Sequence, residues 1–299
     1  RLAMPASSGV RRFLLIAGLT ALIYALAGWI SIKFAAYMAT VVSVVWLAAG
    51  VGAAASLRFG VAGVTGVLLG SFAVHSQFLP LDDAFRLALG AAAGAAIMGY
   101  LPRYLQPFSP TLDYVSSVAK FTLVAAPLGC AVSALVGVAN LHFYGDLPAG
   151  MVMQGMWVWG LGDLLGVYLI APLLLTASRW DLLPTNRGAR LEALVLVLGT
   201  LLLTRLMMQY VNLLRPAEIV LFVLLPGVLW AALRFSVIGA SVAIFLSALI
   251  VLGVAIATFI NVVIVFVLAE AAPKTWAIQH PEQAALISAR PVELLARFW

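Results

Sequence analysis

The stretch MVMQGMWVWGLGDLLGVYLIAPLLLTAS, residues 151–178, contains a single charged residue, Asp163. A helix rises about 1.5 Å per residue, so this stretch is long enough to cross the roughly 30 Å hydrocarbon core of a bilayer. Its apolar residues do not alternate with polar ones at a period of two, as they would in a strand of a membrane barrel. The stretch therefore predicts a membrane-spanning helix.

The whole chain has the same character. Of its 299 residues, 64% are hydrophobic and 9% are charged, and the mean hydropathy is +1.11. A soluble domain carries roughly 25% charged residues, and in lipid every backbone polar group must be paired internally. We therefore predict an all-α, polytopic transmembrane helical bundle of about 8–10 spans in the lipid bilayer.

Further apolar runs of similar length divide the chain into spans. The predicted spans are 12–34, 37–57, 59–78, 84–100, 121–143, 151–178, 191–211, 217–233 and 236–259. A last apolar run, 260–271, is too short to cross the membrane alone. The polar segment 112–120 is interpreted as a helix on the cytoplasmic surface. We assign residues 10–272 to a transmembrane domain and residues 273–299 to a linker or the start of a C-terminal region.

The charge distribution predicts an orientation and excludes one class of partner. The net charge is +6, but the 17 basic residues are scattered at the ends of apolar runs. This scatter argues against nucleic-acid binding and fits the bias of Lys and Arg toward cytoplasmic loops. Placing the N-terminus in the cytoplasm gathers most of the basic residues on that side.

An internal repeat is visible. Residues 57–71 read LRFGVAGVTGVLLGS, residues 233–247 read LRFSVIGASVAIFLS, and the two segments agree at six of fifteen positions. The shared Leu-Arg-Phe places Arg58 and Arg234 at matching turns. Since both copies begin on the cytoplasmic side in the predicted topology, we expect a parallel duplication.

The most informative residues are the polar ones inside predicted spans. The free-energy cost of inserting an aspartate at the middle of the membrane is about 2.5–3.5 kcal/mol on insertion scales. We therefore expect Asp163 to face the bundle interior and to have a partner there. Gly160, Gly162 and Gly166 allow another backbone to approach the same helix. Arg205 is the candidate counter-ion. An ion pair that locks two helices and a ligand or proton site at Asp163 are both compatible with this pattern.

Two further residues are candidates for more limited roles. His75 lies near the end of a predicted span, where an imidazole could respond to pH or simply lie at the interface. Pro172 interrupts a span and predicts a kink. The chain contains no phosphate-binding glycine loop, no cluster with metal-ligand spacing and no nucleophile–base pattern. We therefore predict no catalytic residue, no metal site and no cofactor.

One run of residues resembles a known family. The pattern Trp157-x-Trp159-Gly-x-Gly-Asp163-x-x-Gly166, followed by Ala171-Pro172, is similar to the signature of the MASE1 domain, a bacterial membrane-associated sensor. The resemblance to the family covers about residues 10–260. One departure is that Trp46 is followed here by Leu-Ala and not by the Pro-Pro common in the family. The candidate ligand or switch residues are Asp163, Arg205, Trp157, Trp159, His75 and Trp46, and the structural motif residues are Gly160, Gly162, Gly166, Pro172, Arg58 and Arg234.

The resemblance implies a sensory input module in the bacterial inner membrane. Members of the family precede diguanylate cyclase, phosphodiesterase or histidine kinase domains, so the expected pathways are cyclic di-GMP signalling and two-component systems. A homodimer, a membrane-protein partner and an unidentified small-molecule ligand are expected. The alternatives are a small-solute transporter, favoured by the repeat and the buried charges, and a purely structural membrane anchor.

Overall fold

The computed structural model describes residues 6–37, 45–110, 114–176 and 186–210, isolated positions from 227 to 239, and residues 241–248. Every regular element in these ranges is helical and none is a strand, so the predicted all-α class is confirmed. The helices are α1 (Ala6–Tyr37), α2 (Leu47–Phe59), α3 (Val61–His75), α4 (Leu81–Tyr104), α5 (Val115–Lys120), α6 (Ala126–Phe143), α7 (Val152–Thr176) and α8 (Arg187–Tyr210).

Several of these helices have the length and composition needed to cross a bilayer. In the described part of the chain there are four, covering Gly9–Lys33, Leu81–Tyr104, Ser116–Phe143 and Ala149–Thr176. The apolar helices α2 and α3 are shorter. The chain is therefore a multi-pass membrane protein.

Helix α2 is the centre of the bundle. It packs against α1, α3, α4 and α7, and every residue from Ala48 to Leu57 is buried. The sequence of this stretch, AAGVGAAASL, has small residues on all sides, which lets several helices approach one axis. Helix α1 is different, since its large side chains Leu15, Leu19 and Leu22 are more than half exposed and face lipid.

The start of α2 corrects the predicted span 37–57. Val45 and Trp46 are not helical, and α2 begins at Leu47; residues 38–44 lie outside the described part of the chain. Two of the first backbone donors are satisfied by neighbouring helices, because Leu47 N–H donates to Ser31 Oγ at 3.0 Å and Trp46 N–H donates to Gly162 O at 2.9 Å. With 13 residues, α2 is about 20 Å long and cannot span alone.

The segment before α6 corrects a second interpretation. The sequence pattern predicts a surface helix over residues 112–120, but α5 continues through a π-helical turn, Phe121–Ala125, into α6. Ser117 and Val118 in α5 are buried. Contacts with apolar residues of other helices bury this segment, although its own sequence has the polar pattern of a surface helix.

The π-helical turn leaves one carbonyl for a neighbouring helix. Ala126 N–H donates to Phe121 O, and the next residue, Pro127, has no N–H to offer to Thr122 O. Tyr168 Oη of α7 donates to Thr122 O instead, at 2.5 Å. A buried carbonyl is thus paired, and α7 is fixed against the start of the α6 span.

The two copies of the repeat make equivalent backbone contacts. A Cβ on Gly63 would overlap Ala55 O, and a Cβ on Gly239 would overlap Ala231 O, so in each copy glycine lies against the carbonyl eight residues before it. These positions align in the repeat, which supports the predicted duplication of a helix hairpin. Arg58 lies exposed at the first hairpin turn, while Arg234 lies outside the described residues.

Candidate functional site

Asp163 lies inside the bundle. Asp163 is 4% exposed. Its side chain lines a cavity of about 10 Å³, which has room for about one water molecule. We call this space the Asp163 cavity. Its other lining residues come from five helices and are Tyr24, Ala49, Gly52, Val67, Ala91, Gly94, Ala95, Met98, Cys130 and Ser133.

Backbone contact between α2 and α7 closes one side of this region. A Cβ on Gly50 would overlap Gly166 O, and a Cβ on Gly166 would overlap Trp46 O. Gly162 O also accepts the Trp46 N–H. At Gly160 the nearest atom to an added Cβ is Ala134 Cβ at 3.7 Å, an ordinary contact. Gly166 therefore lets α2 approach α7 directly, Gly162 contributes its carbonyl oxygen to the same contact, and Gly160 takes no part in it.

The polar partners of Asp163 come from other helices. Ser133 of α6 is hydrogen-bonded to the Asp163 carboxyl group, and both Tyr24 and Cys130 are close enough to interact with it electrostatically. No Lys or Arg is among the described residues that line the cavity. Arg205, the predicted counter-ion, belongs to α8, but its side chain lies outside what the structure describes.

A second group of polar residues extends from the cavity toward the end of α3. Trp46 Nε1 donates to Tyr24 Oη at 3.3 Å, and Tyr24 is also hydrogen-bonded to Ser71. His75 Nδ1 lies 2.8 Å from Ser71 O, and because a carbonyl can only accept, this nitrogen carries the proton. The rings of Trp46 and His75 are 5.6 Å apart. The structure thus connects two predicted site residues, Trp46 and His75, to Tyr24, which lines the Asp163 cavity.

Several other predicted residues lie elsewhere. Trp157 is 64% exposed on the outer side of α7, and Trp159 packs its ring over Gly137 of α6. Pro172 is buried within α7, where Thr176 Oγ1 donates to its carbonyl at 2.8 Å. None of these three lines the Asp163 cavity.

Two of these polar residues, Tyr24 and Ser133, carry no sequence feature that marks them as site residues, whereas Ser71 lies one helical turn before His75, the residue predicted to respond to pH. Each is a hydroxyl-bearing residue inside an apolar run, and a hydroxyl in a membrane helix often bonds to its own backbone. Among the described residues, no group of three or more His, Cys, Asp or Glu could hold a metal ion.

The comparisons with known proteins bear on most of the chain. The family model for MASE1 matches residues 16–267, which include the Asp163 cavity and both copies of the repeat. A search of curated proteins found no significant match, and neither did a search of solved structures. MASE1 is a family of membrane-associated sensor domains. From its fold and this match over most of its length, the chain belongs to the MASE1 family.

Proposed function

We propose that this chain is the transmembrane sensory input module of a bacterial signalling protein. In this proposal it lies in the inner membrane and couples a signal to a cytoplasmic output domain of the diguanylate cyclase or histidine kinase type. The observation that carries the proposal is a carboxyl group, Asp163, buried where several helices of a sensor-family domain meet. Ionisable residues at such depth are costly and mark functional positions.

The charges at the two ends of the bundle support a cytoplasmic N-terminus. Arg103 ends α4 and donates to Leu57 O at 2.7 Å, and Lys120 donates to Pro107 O at 2.8 Å; both lie at the end of the bundle where α1 begins. The opposite end carries Asp82, Asp83 and Asp146 in loops and first turns. This is the asymmetry expected when the basic end faces the cytoplasm.

The α2–α7 contact gives the site a way to act at a distance. Two backbones in direct contact at Gly50 and Gly166 cannot be compressed further, so a change at Asp163 must shift the helices as bodies. Helix α2 ends at Phe59, at the proposed cytoplasmic side. A signal that stabilises one of two packings at the cavity would therefore move that end of the bundle.

Substitution of Asp163 in the full-length protein tests the proposal. Asp163→Asn keeps the side-chain size but removes the ability of the side chain to ionise, and we expect it to change output activity at least about fivefold, the lower end of typical coupling free energies. The matched control is Asp146→Asn, which removes an exposed carboxylate and should leave output unchanged. Equal outputs from Asp163→Asn and wild type, at equal membrane levels, would refute the proposal.

The repeat favours a second candidate, a small-solute transporter. The Asp163 cavity has room for about one water molecule in this conformation, which gives a solute no binding site there. Flux into proteoliposomes separates the two functions, because a transporter would show saturable uptake that Asp163→Asn abolishes. A sensor module would show none.

A further inference from the structure

We propose that the ligand of the Asp163 cavity is a proton, taken up by the Asp163 carboxylate to form the neutral acid when α2 and α7 are closely packed. The inference rests on the proposed function and names the chemical signal at the same site. The bundle then has two states. In the closely packed state Asp163 is a neutral acid, and in the other state its carboxyl group is ionised and water enters between the helices. Acidity would then be one of the variables to which the bundle responds.

The size of the cavity restricts the ligand. A volume of about 10 Å³ accommodates about one water molecule, and the walls are mostly glycine, alanine, valine and methionine. An organic ligand would need many of these side chains to move, and Gly94 cannot move easily, since a Cβ there would already lie 2.5 Å from Gly129 O. A proton requires no additional space.

The groups that face Asp163 explain why its charge matters. Helix α1 contributes Tyr24, and α6 contributes Cys130 and Ser133; α2, α3 and α4 contribute only apolar residues to the cavity walls. From its own helix, Tyr168 lies near Cys130. None of these described groups carries a permanent positive charge. Within the part of the chain that the structure describes, an ionised Asp163 carboxylate would therefore be desolvated without a counter-charge, a cost that a buried group avoids by binding a proton.

A hydrogen-bonded path leads from the cavity toward the end of the bundle. Tyr24 lines the cavity and is hydrogen-bonded to Ser71. The Ser71 hydroxyl oxygen lies 3.3 Å from Nδ1 of His75, in the last turn of α3. His75 is only partly buried. Hydroxyl and imidazole groups can each accept one proton while releasing another, so this path can deliver a proton from water at the α3 end to the cavity.

The ionised state has a structural consequence. A carboxylate in this cavity needs water to replace the missing counter-charge, and the present volume holds about one molecule. Ionisation therefore widens the space between α7 and the helices α4 and α6 that line it. When the space beside α7 widens at the depth of Asp163, the contact between α2 and α7 is strained, because Gly50 lies directly against Gly166 O.

Infrared spectroscopy of the reconstituted full-length protein tests the proton directly. A buried neutral carboxylic acid gives a C=O stretching band above the amide region, separate from ionised carboxylates. We expect this band in wild type at neutral pH, its loss at high pH, its absence in Asp163→Asn and its retention in Asp146→Asn. Absence of the band in wild type, or its persistence in Asp163→Asn, would overturn the inference.

A second variant covers the case in which Asp163→Asn fails to fold. Ser133→Ala removes the hydrogen bond to the carboxyl group at the cost of one oxygen atom, and it should shift the band to higher frequency without abolishing it. An unshifted band in this variant would assign the signal to another carboxyl group and overturn the inference. If Asp163 instead pairs with a cation such as Arg205, wild type shows no band at all.

The infrared and output measurements fail independently. One possible result is a carboxylic-acid band that disappears in Asp163→Asn while the output activity of this variant equals that of wild type. This result supports the proton site and refutes the sensor proposal. Output that depends on Asp163 without any such band supports the sensor proposal and refutes the proton.

Discussion

Gly166→Ala is expected to destabilise the protein by about 1–3 kcal/mol or more, the range found for overpacked cores. The added methyl group would overlap Trp46 O, a backbone atom that no side-chain rotation can move away. Helix α2 must therefore separate from α7, and the Trp46 N–H bond to Gly162 O lengthens with it. Thermal unfolding in detergent, followed by Trp fluorescence, measures the change.

Gly160→Ala is the matched control for this prediction. The same substitution six residues earlier on α7 places its methyl group 3.7 Å from Ala134 Cβ, and alanine is favoured over glycine within a helix by roughly 1 kcal/mol. We expect unchanged or slightly higher stability. Equal unfolding temperatures for the two variants would show that the α2–α7 contact is looser than described.

Arg86→Met is expected to lower the unfolding temperature of the protein, since it removes several hydrogen bonds made by one charged group. Arg86 Nε donates to Asn140 Oδ1 at 2.6 Å, and Nη2 reaches Asp82 at 2.8 Å and Asp83 at 2.6 Å. The guanidinium carbon also lies 4.0 Å from the centre of the Tyr144 ring. One side chain therefore ties the start of α4 to the end of α6.

This cluster differs from an ordinary surface ion pair, which contributes little, because Asn140 is 6% exposed and would lose its partner. Arg86→Lys should not restore stability, since a single ammonium group cannot reproduce the planar fork. Arg58→Met is the control, as that arginine is exposed and contacts the ring of Phe59 at 5.8 Å. Stability of Arg86→Lys equal to wild type would contradict the geometric argument.

Within the described residues, the apolar runs predicted where helices lie but not where α2 begins. The predicted run 260–271 and most of the predicted spans 217–233 and 236–259 lie outside those residues. Hydropathy extends continuously from residue 37 to residue 57, and the non-helical Trp46 becomes possible only because Ser31 and Gly162 take over backbone hydrogen bonds. Those partners come from α1 and α7, and a pattern within one segment cannot contain them. The same applies to Tyr168, whose partner, Thr122 O, is free only because of a π-helical turn before Pro127.

The candidate site was predictable in part. The energetic cost of a mid-membrane carboxylate identified Asp163 as an interior group, and the structure buries it. The glycines at positions 160, 162 and 166 predicted a close backbone approach, which the structure shows at Gly166 and not at Gly160. They did not identify α2 as the neighbour. Ser133 could not be recognised, since serine in an apolar helix has no sequence feature that distinguishes a bond to a carboxyl group from one to its own backbone.

The output of four full-length proteins tests the central claim most directly: wild type, Ser133→Ala, Asp163→Asn and the double variant. If the buried Asp163–Ser133 pair sets the output, Ser133→Ala changes the output of wild type but not that of Asp163→Asn. The cycle then gives an interaction energy within the roughly 0.5–3 kcal/mol typical of contacting residues. Effects that simply add, with an interaction energy near zero, would contradict the account.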